Sequence, residues 1–354
     1  MERFERIAPA GSELPLLLTP ASAGEPVMMA LARLRAQIDT ALITVGGVLL
    51  RGFDVPSVDA FKSFAAAFGH DLLSYEFAST PRSAVSSGVY TSTEYPAHQH
   101  IPLHNEQAYT RDWPMKIWFH CVKAAPQGGE TPIADSRNIY RRMPAAIRER
   151  FAAGLLYARN YGDFDLPWQD VFNTNEPSQV EAFCRQSGIE WEWLDDGALR
   201  TRQLCQGVEH HPLTGEAVWF NQAHLFHASG LQPEVRESLE DILGVENLPR
   251  NVYYADGRPI PDEVFDEVRA VLAEETVTFG WQDGDVMMLD NMLVAHARTP
   301  FSGPRKVVVA MAEPHGNRST SGSTFGSTFG STSGSASRSA FGSGASSQPL
   351  DCLA

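Results

Sequence analysis

Asp285-Val-Met-Met-Leu-Asp-Asn-Met-Leu-Val-Ala-His296 follows a glycine-bounded turn at 280–284 and reads as a late strand-and-turn segment that delivers a histidine. Similar strand-like runs recur at 48–53 after Gly46-Gly47, and at 84–90, 116–122, 155–161, 217–221 and 306–311. Helical spacing is confined to a few stretches. The first is 58–68, with Phe61, Phe64, Ala65 and Phe68 on one face, and the others are 144–153, 233–243 and 262–275. Strands outnumber helices and do not alternate strictly with them. The expected fold is therefore mainly β with helical insertions, a sandwich or jelly roll rather than a parallel α/β sheet.

The chain has 354 residues, with 28 Lys+Arg against 43 Asp+Glu and a formal net charge of −15. This acidity argues against nucleic acid as a partner, because such binding rests on Lys and Arg neutralising phosphates. Cysteines at 121, 184, 205 and 352 form no C-x-x-C pair, so neither a zinc ribbon nor a redox dithiol is expected, and a reducing compartment is. No apolar run approaches the ~20 residues of a membrane helix. The apolar start at 14–18 is broken by Pro15 and lacks a basic leader, so a cytoplasmic protein without a signal peptide or membrane partner is expected.

Composition changes at Asn317. Residues 317–354 are dominated by Ser and Gly, with Arg318, Arg338 and Asp351 the only charges, and are expected to be a disordered tail. Residues 1–316 show neither a linker nor a repeat and are taken as one domain, with 26 Lys+Arg against 42 Asp+Glu and a formal net charge of −16.

His104-Asn-Glu106 is the first chemical constellation. If the stretch is extended, positions i and i+2 share a face and converge on one point. His296 is the second element. Two histidines and one carboxylate on one face leave three octahedral positions open, the arrangement of non-haem Fe(II) oxygenases. Arg305 opens the apolar run after Pro304, where it is either an edge charge or an inward anchor for a carboxylate, which its planar fork grips through two hydrogen bonds. Arg298 is the alternative anchor. Thr131, just after Gly128-Gly129, is either an ordinary strand threonine or a hydroxyl donor to the same carboxylate.

The wording His104-Asn-Glu106, Gly128-Gly-Glu-Thr131, Tyr157-Ala-Arg-Asn160, Trp219-Phe-Asn221 and His296-Ala-Arg-Thr-Pro-Phe301 resembles the TauD/TfdA family of Fe(II)/2-oxoglutarate dioxygenases over most of residues 40–315, and within it the SyrP-like branch of syringomycin-type hydroxylases. The resemblance implies a double-stranded β-helix of the clavaminate synthase-like type. It implies Fe(II) on His104, Glu106 and His296, with Thr131 and Arg305 on 2-oxoglutarate and one position left for O2. It further implies hydroxylation of an unactivated carbon of an amino acid, free or tethered to a peptidyl carrier protein, in non-ribosomal peptide or siderophore biosynthesis. Glu106 stands where Asp is commoner in the family, which bears on a taurine-like substrate rather than on the metal. Its presence also disfavours halogenation, which needs the carboxylate replaced by a small residue.

Two other outcomes remain open at this level: the same iron centre used for desaturation, epoxidation or cyclisation, and a β-sandwich binding module without turnover. His98 and His100 are read as lining the mouth of the site, and His210, His211, His224 and His227 as packing or hydrogen-bonding groups. Arg137, Arg159, Asn160 and Asn221 are possible substrate contacts or loop ties. Arg141, Arg142, Arg148 and Arg150 form either a carrier-docking patch or a solvated helix face. Oligomeric state is not readable from the sequence. In so acidic a chain a dianionic co-substrate needs a dedicated positive pocket, for which Fe(II) and Arg305 are the identifiable sources.

Overall fold

The computed structural model describes residues 4–73, 84–91, 95–162 and 164–316. The Ser/Gly tail expected at 317–354 lies outside them. A seven-stranded sheet runs in the order Leu16–Leu18, Gly47–Leu50, Val286–Asp290, Asp112–Lys123, Lys306–Gly316, Val89–Thr91 and Ala84–Ser86. Facing it is a three-stranded sheet, Ile101–His104, Val294–Arg298 and Ile133–Asp135, extended by the two-residue pair Gln127–Gly128 with Phe301–Ser302. Together they make the jelly roll.

Both faces of the larger sheet are buried, and the period of two sorts its side chains. Met115, Ile117, Phe119 and Cys121, with Met287, Leu289, Val307, Val309 and Met311, fill the space between the sheets against Ile133 and Val294. Trp118, Val286, Met288, Val308 and Ala310 point the other way and pack beneath the helices Val27–Thr44 and Val58–Ala66. The 18-residue helix Val27–Thr44 has no counterpart among the expected elements, although Ala30, Leu31, Leu34, Ile38, Ala41 and Leu42 repeat at helical spacing. Past its end the chain turns at Gly46 (φ +94°), where a Cβ would meet Val294 Cγ2 at 2.6 Å, so this turn nestles against the strand that carries His296.

The outer face of the small sheet is covered by an insertion. Leu103, Ala134, Ala295 and Ala297 pack against Leu155, Tyr157 and Val252 of a second sheet and Phe265 and Val268 of the helix Asp262–Glu274. That sheet runs Glu190–Trp193, Leu199–Cys205, Leu155–Tyr161, Arg250–Tyr254. Three of its strands, Glu190–Trp193, Leu199–Cys205 and Arg250–Tyr254, were not anticipated; the buried positions of the last two include the polar Thr201, Gln203, Arg250 and Asn251. The single strand expected at 84–90 is a hairpin instead, Ala84–Ser86 against Val89–Thr91, with the reversal at Gly88 (φ +77°).

Candidate active site

His104 ends the strand Ile101–His104 and is paired directly with His296 on Val294–Arg298. Glu106 lies past the strand end, in a turn that continues through Gln107 at φ 56°. Convergence of the pair was expected from an extended backbone. It arises instead because the chain turns immediately after His104 and swings the carboxylate back toward the histidines. Each of the three side chains offers one donor atom, and these atoms all lie within 4.8 Å of one another. His296 Nε2 is 3.9 Å from Glu106 Oε2, and the two imidazole rings are 4.4 Å apart. His104 Nδ1 lies 2.8 Å from the Pro102 carbonyl oxygen. A carbonyl only accepts, so Nδ1 carries the proton and Nε2 presents its lone pair. Phe119 packs edge-on against His296 and fixes its ring. Two imidazole nitrogens and one carboxylate oxygen on a common point suit Fe(II) with positions left open.

The turn bearing Glu106 is held by residues remote in sequence. Asn291 Oδ1 accepts from the Glu106 N–H at 2.7 Å, while its Nδ2 donates to the carbonyls of Glu106 and Pro114 at 3.0 and 2.8 Å. Asn105 donates to Ser136 Oγ and the Asn291 carbonyl, and Gln222 donates to the Asn105 carbonyl. Preceding Asn291, Asp290 accepts from the backbone of Met292 and Leu293, closing the turn that carries the chain from the large sheet to the small one. Its other oxygen meets Lys116 and His211. Burial opposes ionisation of Asp290, but the hydrogen bond from His211 and the charge of Lys116 outweigh it and lower its pKa. From the sequence, Asp290-Asn291 stood out only as part of the family resemblance, with no role given to Asn291, and Gln222 was missed because nothing local marks it.

Beside the triad lies a pocket whose lining includes Thr131, Arg298, Arg305, Phe119 and Val309 as well as both histidines. Arg305 Nε donates to the Gly129 carbonyl at 2.9 Å, an approach that a Cβ on Gly129 (φ +74°) would obstruct, since it would stand 2.9 Å from the arginine Cδ and Nε. Thr131 accepts from the Trp281 indole N–H at 3.0 Å. Arg298 uses its fork differently, donating to the carbonyls of Tyr95, Pro96 and Gln99 and so tying down the loop that holds His98 and His100. Burial, reinforced by the like charge of Arg298, lowers the Arg305 guanidinium to about 10. Two guanidinium groups in one partly enclosed space favour an anion.

The remaining sequence candidates lie elsewhere. Arg137 pairs with Asp135 and Glu216, and Arg159 with Asp165. Asn160 bridges the Leu248 carbonyl and Arg200, and Asn221 joins Gly207 to Ala223. These contacts hold elements together. His211 serves Asp290, His224 Nε2 donates to the Leu103 carbonyl, and His227 Nδ1 accepts from the Ser229 N–H.

The family model described as taurine catabolism dioxygenase TauD, TfdA family, matches residues 19–311. The chain is 43% identical over 279 residues to the dapdiamide synthesis protein DdaC of Enterobacter agglomerans, covering 78% of this chain and 85% of that one. It is 32% identical over 320 residues to a clavaminate synthase-like protein of Arabidopsis thaliana, covering 84% and 93% respectively. The crystal structure of PvcB from Pseudomonas aeruginosa shares the fold, with a TM-score of 0.52 and 16% identity over 88% of this chain and 90% of that one. The chain belongs to the TauD/TfdA family of Fe(II)- and 2-oxoglutarate-dependent dioxygenases. It is thus an enzyme of that class rather than a binding module without turnover.

Proposed function

We propose that His104, Glu106 and His296 bind Fe(II), that Thr131 and Arg305 receive the distal carboxylate of 2-oxoglutarate, and that the enzyme hydroxylates an unactivated carbon of an amino acid, free or tethered to a peptidyl carrier protein, in secondary-metabolite biosynthesis. The observation that carries this reading is the meeting of three metal-donor atoms within 4.8 Å beside a pocket with two guanidinium groups. Bound there, Fe(II) and 2-oxoglutarate supply the oxidant for C–H cleavage from O2, with succinate and CO2 released. The chain's own residues provide placement: Asn291 and Gln222 keep the Glu106 turn in position, Pro102 orients His104, and Phe119, Val307 and Val309 line one wall with apolar groups that limit water at the centre.

The amino-acid substrate is supported by the motif wording and by the 43% identity to a dapdiamide synthesis protein, and the SyrP-like placement by the motif wording alone. A basic carrier-docking patch on the helices Ser136–Arg142 and Ala145–Ala152 gains no support, since Arg142 pairs with Glu274 and Glu275, Arg141 with Glu216 and Arg150 with Asp256. We place the enzyme in the cytoplasm, with residues 1–316 as its catalytic domain. Among the described residues no helix is long and apolar enough to cross a membrane.

The test is anaerobic reconstitution with Fe(II) and 2-oxoglutarate, which should give the weak visible metal-to-ligand charge-transfer band, followed by a turnover screen over amino acids and their carrier thioesters. A product heavier by one oxygen supports hydroxylation; loss of two hydrogens identifies desaturation. Absence of the band, with and without candidate amino acids, refutes the reading.

A further inference from the structure

Thr131 presents a hydroxyl that can donate or accept, and Trp281 decides which. The indole Nε1–H lies 3.0 Å from Thr131 Oγ1. An indole nitrogen only donates, so the threonine oxygen accepts this bond and its own proton is turned elsewhere. No described residue accepts that proton. Thr131 is only 3% exposed, and the space next to its side chain is the pocket shared with Arg305 and the two histidines. An orphaned buried hydroxyl proton costs free energy unless an acceptor arrives.

Trp281 itself does not line the pocket. It stands behind Thr131, edge-on to Phe279, on a turn that is itself pinned. Arg51 donates to the Gly280 carbonyl at 2.7 Å and pairs with Asp285, which in turn accepts from the Gln282 N–H. The indole is therefore held in place from the seven-stranded sheet, independently of anything bound in the pocket.

The geometry points to Trp281 as a positioning residue for the co-substrate. By occupying one lone pair of Thr131 Oγ1, it leaves the hydroxyl proton aimed away from the indole and makes the Thr131–Arg305 end of the pocket favour a group that accepts, such as a carboxylate. The inference rests on the proposed seating of 2-oxoglutarate against Thr131 and Arg305, and adds the residue that fixes the polarity of that seat.

The experiment is an anaerobic titration of the Fe(II)-loaded full-length protein with 2-oxoglutarate, read by the charge-transfer band, for wild type, Trp281→Phe, Thr131→Val, Thr131→Ser and the two double variants. Trp281→Phe and Thr131→Val should each weaken binding by about three- to tenfold, the effect of one hydrogen bond. Turnover of Trp281→Phe at saturating 2-oxoglutarate should stay within about twofold. Trp281→Phe should add nothing in the Thr131→Val background and its full effect in the Thr131→Ser background. A second readout does not depend on a tryptophan variant: in 15N-labelled protein without iron, the Trp281 indole N–H resonance should shift upfield in Thr131→Val as its acceptor is lost. Unchanged binding in Trp281→Phe, independent effects in the Thr131→Val background, or an unmoved indole resonance would each overturn the inference. No band in wild type defeats the seating of the co-substrate; a band weakened by Thr131→Val but not by Trp281→Phe defeats only the role of Trp281.

Discussion

Asn291 grips the Glu106 peptide on both sides, accepting from its N–H at 2.7 Å and donating to its carbonyl at 3.0 Å. Both residues are buried, and Asn291 is fully so. A side-chain amide carries a donor and an acceptor on one rigid planar group and can do both at once, so the position of Glu106, the carboxylate proposed to bind the metal, depends on a residue 185 positions away.

Replacing Asn291 by Ala should therefore lower Fe(II) affinity about 10- to 100-fold, the usual consequence of removing a group that orients a metal ligand. It should also destabilise the fold by about 1–3 kcal/mol for each buried backbone group left unpaired. Metal titration and urea unfolding of the metal-free protein measure the two effects. Wild-type metal affinity in a folded Asn291→Ala protein would show that Glu106 holds its place unaided.

The two pocket arginines should separate by variant. Arg305→Gln is expected to weaken 2-oxoglutarate binding about 10- to 100-fold through loss of charged hydrogen bonds. Arg298→Gln should chiefly release the loop whose carbonyls it holds at Tyr95, Pro96 and Gln99, seen as earlier proteolysis and a lower melting temperature. The reverse pattern would make Arg298 the anchor. Burial and the like charge of Arg298 both work against the Arg305 guanidinium, a penalty that an incoming carboxylate offsets.

Gly129→Ala tests the close approach of Arg305. The added Cβ meets Arg305 Cδ and Nε at 2.9 Å in a left-handed backbone conformation, which itself costs about 1–2 kcal/mol. Modest destabilisation and a clear loss of 2-oxoglutarate affinity are expected. At Gly128 the added atom would strike the Pro300 carbonyl oxygen at 2.1 Å, so Gly128→Ala should destabilise more. Equal affinity in wild type and Gly129→Ala would contradict the contact.

Acid stability should fall in two windows. Burial lowers His227 from 6.5 to about 4, with Asp262 opposing and Arg236 and Arg269 assisting. Between those values the unfolded chain binds a proton that the folded one refuses, so stability drops as pH falls from 6.5 to about 4, by on the order of 3 kcal/mol at most. Asp165 behaves as a paired acid: burial raises it, but Arg250 and Arg159 outweigh burial and hold it at about 2. Its contribution is present above 3.8 and is lost as pH falls from there to about 2. Urea unfolding across pH should show His227→Gln with a smaller first decline, the rest coming from His224 and His120, which burial also lowers. Asp165→Asn should be weaker by about 3–5 kcal/mol at neutral pH, having left two buried arginines without their acid.

The strand runs at 116–122, 285–289 and 306–311 were legible in the sequence because the large sheet is buried on both faces, so nearly every residue along them is apolar. His104-x-Glu106, His296, Thr131 and Arg305 were legible as residue types whose chemistry suits a metal and a carboxylate. The helix Val27–Thr44 carried the right spacing and was overlooked, while the strands Leu199–Cys205 and Arg250–Tyr254 were hidden by the polar side chains they bury. What the sequence by itself determined is thus the inventory of the site and the class of fold. Only the tertiary structure decided which groups hold that inventory in place. Asn291 reaches Glu106 across 185 residues and Trp281 reaches Thr131 across 150, and a hydrogen bond between such distant positions leaves no local period or spacing behind; it exists only once the two sheets have packed and brought the donors within reach of their acceptors.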